Sequence, residues 1–146
     1  VSEFSVSEVI QQIRTLLHSS VPPGVRLEMN LCGDLKPIRA DPNQIQQLMI
    51  NLVTNAGEAV EPGSGEVRVS VMPKGRYVCI EVLDNGHGMD AETQARIFEP
   101  FYSTRFIGRG MGLSAVAGIV RSYYGSVHVE SAPGMGTLVR VLLPVV

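Results

Sequence analysis

The hydrophobic pattern between residues 41 and 84 changes period once, and this change constrains the fold more than any other feature. After the helix-start signal Asp41-Pro42, apolar side chains recur at helical spacing as far as Val60. From residue 67 to residue 83 they follow strand patterns in two runs, separated by the turn residues Pro73-Lys74-Gly75. One long amphipathic helix followed by a β-hairpin predicts a layer of helices packed on a sheet.

Weaker patterns predict the remaining elements. A capping box of Ser5 and Glu8 starts a helix with apolar residues from Val9 to Leu17. Further strands are expected at 25–31, around Ile38, at 127–130 and at 138–143. Further helices are expected at 91–97, capped by Asp90, and at 113–124, closed by Gly125 in the C-cap role. We therefore predict an α+β two-layer sandwich, with helices on one face of a mixed, mainly antiparallel sheet, as one domain over residues 1–146.

Composition narrows the class of protein. The chain has 12 Lys and Arg against 14 Asp and Glu, so we expect no nucleic-acid partner, which would need a basic excess. Cys32 and Cys79 stand in apolar-rich stretches, and two cysteines make neither a disulfide framework nor a zinc cluster. No apolar run approaches roughly eighteen residues and no signal peptide opens the chain. We therefore expect no direct membrane contact and a cytoplasmic location.

Two asparagines, Asn51 and Asn55, lie one turn apart on the predicted long helix, beside its apolar stripe. Asparagine is only a moderate helix former, so two asparagines aligned on one helix face call for an explanation. Their carboxamide oxygens could face a cleft and bind water or a hard cation such as Mg²⁺. The alternative is a solvated polar edge of the helix, and the pair by itself favours that alternative.

Asp84 directly follows a predicted strand and opens the segment Asp84-x-Gly86-x-Gly88. The glycines permit positive φ and let a ligand approach the backbone. The carboxylate could accept a hydrogen bond from an amino group, such as the exocyclic amine of adenine, or ligate a metal. A plain surface turn is the alternative, since Asp-Asn-Gly is favourable turn chemistry.

A second glycine cluster, Gly108-x-Gly110-x-Gly112, opens the helix predicted at 113–124. Backbone N–H groups at a helix start form an anion site, and Arg105 and Arg109 flank it. The spacing matches neither a P-loop nor a dinucleotide fingerprint. We prefer a phosphate site here over a flexible surface loop.

The aromatic segment Phe98-Glu99-Pro100-Phe101-Tyr102 lies in a stretch without periodicity. Its rings could anchor a mobile lid or form a partner surface. They could also simply cap the core beneath a long loop.

Taken in order, five segments resemble the sequence motifs of sensor histidine kinases, over residues from about 41 to 143. They are Asn51-Leu52-Val53-Thr54-Asn55-Ala56 for the N box, Asp84-Asn85-Gly86-His87-Gly88-Met89 for the first glycine box, Ile97-Phe98-Glu99-Pro100-Phe101 for the F box, Gly108-Arg109-Gly110-Met111-Gly112-Leu113-Ser114 for the second glycine box and Gly134-Met135-Gly136-Thr137 for the last glycine-threonine element. Each segment alone is weak, but five in the family's order are highly specific. The residues of these five segments are most similar to those of the nitrogen-regulatory and hybrid kinases.

The resemblance implies the Bergerat ATP-binding fold, with ATP and Mg²⁺ as ligands. Asn55 would coordinate the Mg²⁺ that bridges the phosphates, and Asn51 would lie near the same water and metal network. Asp84 would accept a hydrogen bond from the adenine amine, with Gly86 and Gly88 shaping that wall. Thr137 would sit near the adenine.

At the other end of the nucleotide, residues 101–109 would form the ATP lid, with Arg105 and Arg109 as partners for phosphate. Gly108, Gly110 and Gly112 would cradle the phosphates, with Met111 among them and Leu113 at the helix start.

Two positions depart from related families. The relatives that hydrolyse ATP carry Glu where this chain has Asn51, and an asparagine cannot act as general base at neutral pH. This favours a kinase-type module over an intrinsic ATPase, and disfavours a metabolic or anti-sigma protein kinase of the same fold. Many kinases carry Lys where this chain has Glu58, which cannot neutralise phosphate charge. Mg²⁺, Arg105 and Arg109 would therefore have to neutralise more of that charge.

We therefore predict the catalytic domain of a histidine kinase, which would transfer the γ-phosphoryl group of Mg-ATP to a histidine on a separate dimerisation domain and thereby supply the receiver domain of a response regulator. That phosphoacceptor domain is expected to be absent from this chain, and His18 is interpreted as an ordinary helix-end residue. The alternative is a regulatory module that binds nucleotide and signals by lid closure without phosphoryl transfer.

Overall fold

The computed structural model describes residues 1–98 and 112–146. In that part of the chain the strands are β1 (Ser2–Phe4), β2 (Arg26–Leu31), β3 (Ile38–Ala40), β4 (Glu66–Lys74), β5 (Tyr77–Asp84), β6 (Ser126–Ser131) and β7 (Thr137–Pro144). The helices are α1 (Val6–Gln12), α2 (Arg14–Ser19), α3 (Pro42–Ala59), α4 (Ala91–Arg96) and α5 (Leu113–Ser122).

The main sheet has the strand order β2-β4-β5-β7-β6. β2 and β4 run parallel, whereas the other neighbouring pairs run antiparallel. β4 and β5 form the predicted hairpin, with Lys74 opposite Tyr77. The predicted α+β sandwich with a mixed, mainly antiparallel sheet is therefore confirmed. A second sheet pairs β1 with β3. β3 is the strand predicted around Ile38, whereas β1 was not predicted.

The long helix α3 begins as the sequence predicts. A side-chain oxygen of Asp41 accepts a hydrogen bond from the backbone N–H of Asn43 at 2.9 Å, and Pro42 occupies the first turn. The predicted apolar stripe is buried against β4 and β5: Ile45, Leu48, Met49, Leu52, Val53 and Ala56. This packing fixes the helix over the centre of the sheet, with Asn55 near its carboxyl end.

The first predicted helix is in fact two helices, so that prediction is wrong in part. The chain turns at Ile13, whose N–H bonds to Ile10 at the tighter i−3 spacing, and α2 begins at the next residue. The turn lets both Ile10 and Leu17 reach full burial. Ser5 does stand at the helix start, but its side chain makes no capping hydrogen bond.

The end of α5 also differs from the prediction that Gly125 is the capping glycine. Tyr124 adopts the left-handed conformation, with φ 63°. The N–H of Tyr124 bonds to Arg121 and that of Gly125 to Val120, which is the Schellman pattern. Gly125 is needed for another reason, because a Cβ there would lie 2.3 Å from the carbonyl oxygen of Leu142 in β7.

Two further observations concern the cysteines and the helices. Cys32 and Cys79 both carry free thiols. Of the helices within residues 1–98 and 112–146, none combines the length and the apolar character that crossing a bilayer requires.

Candidate functional site

A cleft opens between α3 and the ends of β5 and β7, at the edge where α4 and α5 begin. Its lining comprises Leu52, Asn55, Ala56, Glu58, Ala59, Val82, Asp84, His87, Gly88, Met89, Thr93, Ile97, Gly112, Leu113, Thr137 and Val139. The cleft therefore brings together six of the predicted site residues, from segments far apart in sequence: Asn55, Asp84, Gly88, Gly112, Leu113 and Thr137. Asn51 and Gly86 are not among the lining residues.

Asp84 is the last residue of β5 and pairs with Thr137, the first residue of β7. It is only 6% exposed, and its Oδ1 accepts a hydrogen bond from the N–H of Gly86 at 2.8 Å. Burial raises the pKa of Asp84, while hydrogen bonds from the backbone N–H groups of Gly86 and Thr137 and the charge of His87 act in the opposite direction. A carboxyl group held in this way is a fixed acceptor at one end of the cleft.

The glycines around Asp84 have a packing role in addition to the one predicted. A Cβ on Gly86 would lie 2.2 Å from the carbonyl oxygen of Ala59, and one on Gly88 would lie 1.9 Å from that of Ala132. Gly88 has the predicted positive φ, at 68°, whereas Gly86 does not. Both residues admit close approach of the protein's own backbone, so they shape the wall by packing.

Ser131, the last residue of β6, was not predicted and organises the strand ends beside Asp84. Its Oγ accepts from the N–H of Met89 at 2.9 Å, donates to the carbonyl oxygen of Gly136 at 3.0 Å and lies 2.8 Å from the Oγ1 of Thr137. Nothing in the spacing of the sequence singled it out, because serine at the end of a strand is common. Its partners are known only once the strands are paired.

Gln94 of α4 secures the same region from the other side, and it was also not predicted. Its Nε2 donates to the carbonyl oxygens of Met89, at 2.9 Å, and of Ser131, at 2.8 Å. Asp90 caps α4 as predicted, since its side chain accepts from the N–H of Thr93 at 2.7 Å. Asp90 thus helps to hold the segment that joins β5 to α4.

The two asparagines of α3 differ in their surroundings. Asn55 lines the cleft beside the start of α5, where a Cβ on Gly112 would lie 3.6 Å from its Nδ2. Asn51 is 9% exposed, and its Oδ1 accepts from the Nε2 of Gln47 at 2.9 Å. The Nδ2 of Asn51 is buried without a hydrogen-bond partner among the described residues.

The predicted phosphate cradle is described only at its end. Gly112 stands at the N-cap position of α5 and Leu113 is the first residue of that helix. Arg105, Gly108, Arg109, Gly110 and Met111, together with the predicted lid at 101–109, lie outside the described residues. The same holds for the aromatic segment after Phe98.

The donor set in the cleft suits Mg²⁺ better than a metal held by the protein alone. Asn55 supplies an amide oxygen, a hard ligand, whereas the described residues contain no group of three or more His, Cys, Asp or Glu side chains that could hold a metal. Mg²⁺ is commonly bound through few protein ligands together with water and substrate phosphates. The residues present therefore fit a magnesium ion that arrives with a phosphorylated ligand.

Comparison with known proteins gives the family. The family model described as histidine kinase-, DNA gyrase B- and HSP90-like ATPase matches residues 40–146. The chain is 34% identical to sporulation kinase E of Bacillus subtilis over 98% of the chain, and 32% identical to the sensor kinase CckA of Brucella abortus over 95%. It spans only 20% and 16% of the lengths of those two relatives.

Solved structures agree in fold. Full-length ShkA, solved in complex with AMPPNP, matches 99% of this chain with a TM-score of 0.82 at 24% identity, and the match covers 31% of that chain. The narrower assignment to a nitrogen-regulatory branch stays a prediction. The chain belongs to the histidine kinase-, DNA gyrase B- and HSP90-like ATPase family, as an ATP-binding catalytic domain of the sensor histidine kinase type.

Proposed function

We propose that this domain binds Mg-ATP in the cleft and supplies its γ-phosphoryl group to a histidine on a separate dimerisation domain of the parent protein. The observation that carries the proposal is that a buried carboxyl group, Asp84, and an amide side chain, Asn55, line one cleft. A nucleotide needs such a pair, because one end must recognise a base and the other a metal-bound phosphate chain. The phosphohistidine would then supply the receiver domain of a response regulator in the cytoplasm.

The base end of the proposed site is the wall around Asp84. Its carboxylate accepts from the adenine amine, Thr137 lies beside it in the next strand, and Gly86 and Gly88 set the shape of the wall. Apolar side chains such as Val82 and Leu52 line the same cleft and suit the faces of a purine ring.

The phosphate end of the proposed site is formed by α3 and the start of α5. Asn55 would hold Mg²⁺, which when bound would offset the negative charge on the β- and γ-phosphates. Backbone N–H groups of the predicted cradle, at Gly108, Gly110, Met111, Gly112 and Leu113, would bind the phosphate chain. Arg105 and Arg109 supply positive charge, which Glu58 cannot supply.

The transfer step needs little acid–base chemistry from this domain. An imidazole nitrogen of the acceptor attacks the γ-phosphorus, the bond to the β,γ-bridging oxygen breaks, and ADP leaves. Asn51 cannot act as a base for water, and its Oδ1 is already engaged by Gln47 at 2.9 Å. His18, exposed in the last turn of α2, is not the proposed acceptor.

The experiment combines this chain with a separately expressed dimerisation domain of the parent protein and [γ-³²P]ATP. We expect acid-labile, alkali-stable label on the dimerisation domain, and none when its acceptor histidine is replaced by glutamine. Calorimetry with Mg-ADP tests binding alone. Binding without label under any condition would favour the second candidate, a regulatory module that signals by lid closure, and the cleft supports both because both need nucleotide.

A further inference from the structure

Ser131 makes polar contacts with two residues that line the cleft, although it does not line the cleft itself. The contacts join its Oγ to the N–H of Met89 at 2.9 Å, to the carbonyl oxygen of Gly136 at 3.0 Å and to the Oγ1 of Thr137 at 2.8 Å. Met89 and Thr137 are the residues of this group that line the cleft. Ser131 therefore connects the loop after β5 to the first residue of β7.

Counting protons gives each contact a direction. A serine hydroxyl has one proton and two lone pairs. The carbonyl of Gly136 can only accept, so the proton of Ser131 goes to it, and the N–H of Met89 can only donate, so it takes one lone pair. The second lone pair remains, and Thr137 fills it by donating its own hydroxyl proton. This is the one arrangement in which all three contacts are hydrogen bonds.

The consequence is that the hydroxyl of Thr137 has no proton left for the cleft. Its free lone pairs make it an acceptor there, beside the acceptor carboxyl of Asp84, its cross-strand partner. Two adjacent acceptors match a ligand edge that carries an amino group with two N–H bonds. They repel the oxygen of a 6-oxopurine, which takes the place of that amino group.

We propose that Ser131 is a positioning residue for base recognition, which holds Thr137 as a hydrogen-bond acceptor and so favours a 6-aminopurine over a 6-oxopurine. The inference rests on the proposed function and deepens it. Ser131 itself is held in place, because its carbonyl oxygen accepts from the Nε2 of Gln94 at 2.8 Å. Its hydroxyl cannot rotate away from Thr137 without also losing its contacts with Met89 and Gly136.

The test compares Mg-ADP with Mg-IDP, which differ only at the 6-position and the adjoining ring nitrogen, by calorimetry on the 146-residue chain. We expect wild type to bind ADP more tightly than IDP. In Ser131→Ala the proton of Thr137 is released and can be donated to the 6-oxo group. The selectivity ratio, which is the dissociation constant for Mg-IDP divided by that for Mg-ADP, should then fall about fivefold. This is the equivalent of one neutral hydrogen bond.

Two controls separate positioning from general damage. Ser126→Ala removes a hydroxyl from the other end of β6, where it contacts His128 at 3.2 Å, and should leave the ratio unchanged. Thr137→Val should lower the ratio by itself, and adding Ser131→Ala to it should change the ratio no further. A ratio that falls equally in both backgrounds would show a structural effect and overturn the inference.

A second substitution at Ser131 guards against loss of folding. Ser131→Cys keeps a side chain of similar size with a weaker donor and acceptor, so its ratio should lie between those of wild type and Ser131→Ala. If Ser131→Ala and Ser131→Cys both keep the wild-type selectivity for ADP, the proposed role of Ser131 is overturned, whereas the proposed nucleotide site is not. A wild-type chain that binds neither nucleotide would overturn the proposed function and this inference with it.

Discussion

The two ends of the cleft are built differently. At the base end, backbone and side-chain groups of β5, β6, β7 and α4 pair with one another around Asp84 and Ser131. At the phosphate end, the described part consists of amide side chains on one face of α3 and the first turn of α5. There the Nδ2 of Asn51 is buried with no partner in the described residues.

This difference concerns how completely the described polar groups of each end are paired. Buried polar groups in folded proteins are almost always paired, so an unpaired one calls for an explanation. The base end satisfies its groups internally and presents a fixed surface. At the phosphate end, one buried donor, the Nδ2 of Asn51, has no partner among the described residues, so the described groups there are not all paired. The predictions below test that contrast.

The largest effect should come from adding a methyl group to the base end. Gly88→Ala places a Cβ 1.9 Å from the carbonyl oxygen of Ala132 and forces alanine to φ 68°. We expect the free energy of unfolding to fall by about 3 kcal/mol or more, through left-handed strain and a backbone clash. Urea denaturation followed by circular dichroism measures it.

The matched control is Gly118→Ala in α5, where a Cβ would meet nothing within 4 Å. A helical glycine exposed to solvent should gain about 0.5–1 kcal/mol of stability on this change. Equal effects of the two substitutions would contradict a base end built by close backbone packing.

Removing the charge at Asp84 should have the next largest effect, on binding. Asp84→Asn keeps an oxygen for the N–H of Gly86 but replaces an acceptor-only group. The affinity for Mg-ADP should fall by about 2 kcal/mol, the typical worth of a charge-assisted hydrogen bond. Calorimetry on the variant checks this, with Asp34→Asn in an exposed turn as the control. An unchanged dissociation constant would remove Asp84 from base recognition.

At the phosphate end, Asn55→Ala should weaken binding in a way that depends on metal. We expect about 1.4 kcal/mol, or tenfold, for Mg-ATP and a smaller loss for ATP in EDTA, because the amide oxygen acts through the ion. Asn43→Ala, in the exposed first turn of α3, is the control and should leave both affinities unchanged. Equal losses with and without Mg²⁺ would count against a metal ligand.

The same contrast explains what the sequence could and could not predict. The period change after Val60 predicted the long helix and the hairpin, because burial on one face leaves a spacing that can be read along the chain. Glycine spacing predicted positive φ, which Gly88 adopts. It could not predict the close approach of Gly86 to Ala59 and of Gly88 to Ala132, because those partners are distant in sequence. Ser131 and Gln94 were not predicted because their partners are backbone groups distant in sequence. The hydroxyl of Ser131 accepts from the N–H of Met89, and Gln94 donates to the carbonyl oxygen of Ser131.

A smaller effect, of opposite sign, is expected at Asn51. Asn51→Leu removes the unpartnered buried donor, so the free energy of unfolding without ligand should rise by about 1 kcal/mol. Nucleotide affinity should not improve. Gln47→Ala removes the partner of Oδ1 and should lower stability instead. A less stable Asn51→Leu protein would mean that the amide is satisfied in the free state and that the two ends do not differ in this respect.

The smallest effect is the pH dependence of stability that Asp84 causes. Burial raises its pKa in the folded state above the ordinary value of 3.8, so the folded state binds its proton more tightly than the unfolded state does. The stabilising contribution is therefore fully present below that ordinary value and is lost as the pH rises through the raised pKa. As the pH rises through this window, the free energy of unfolding of wild type should fall relative to that of Asp84→Asn. At higher pH the difference between the two proteins should stay constant.

Binding should show the reverse dependence, because only the ionised carboxylate accepts fully from an amino group. The affinity for Mg-ADP should rise with pH through the same window in wild type and stay flat in Asp84→Asn. His87, whose charge opposes the upward shift, is kept in both proteins, so the difference between them isolates the carboxyl. A wild-type profile that matches the variant in both stability and binding would mean that the base end does not hold its acceptor by burial, and the contrast between the two ends would then rest on Asn51 alone.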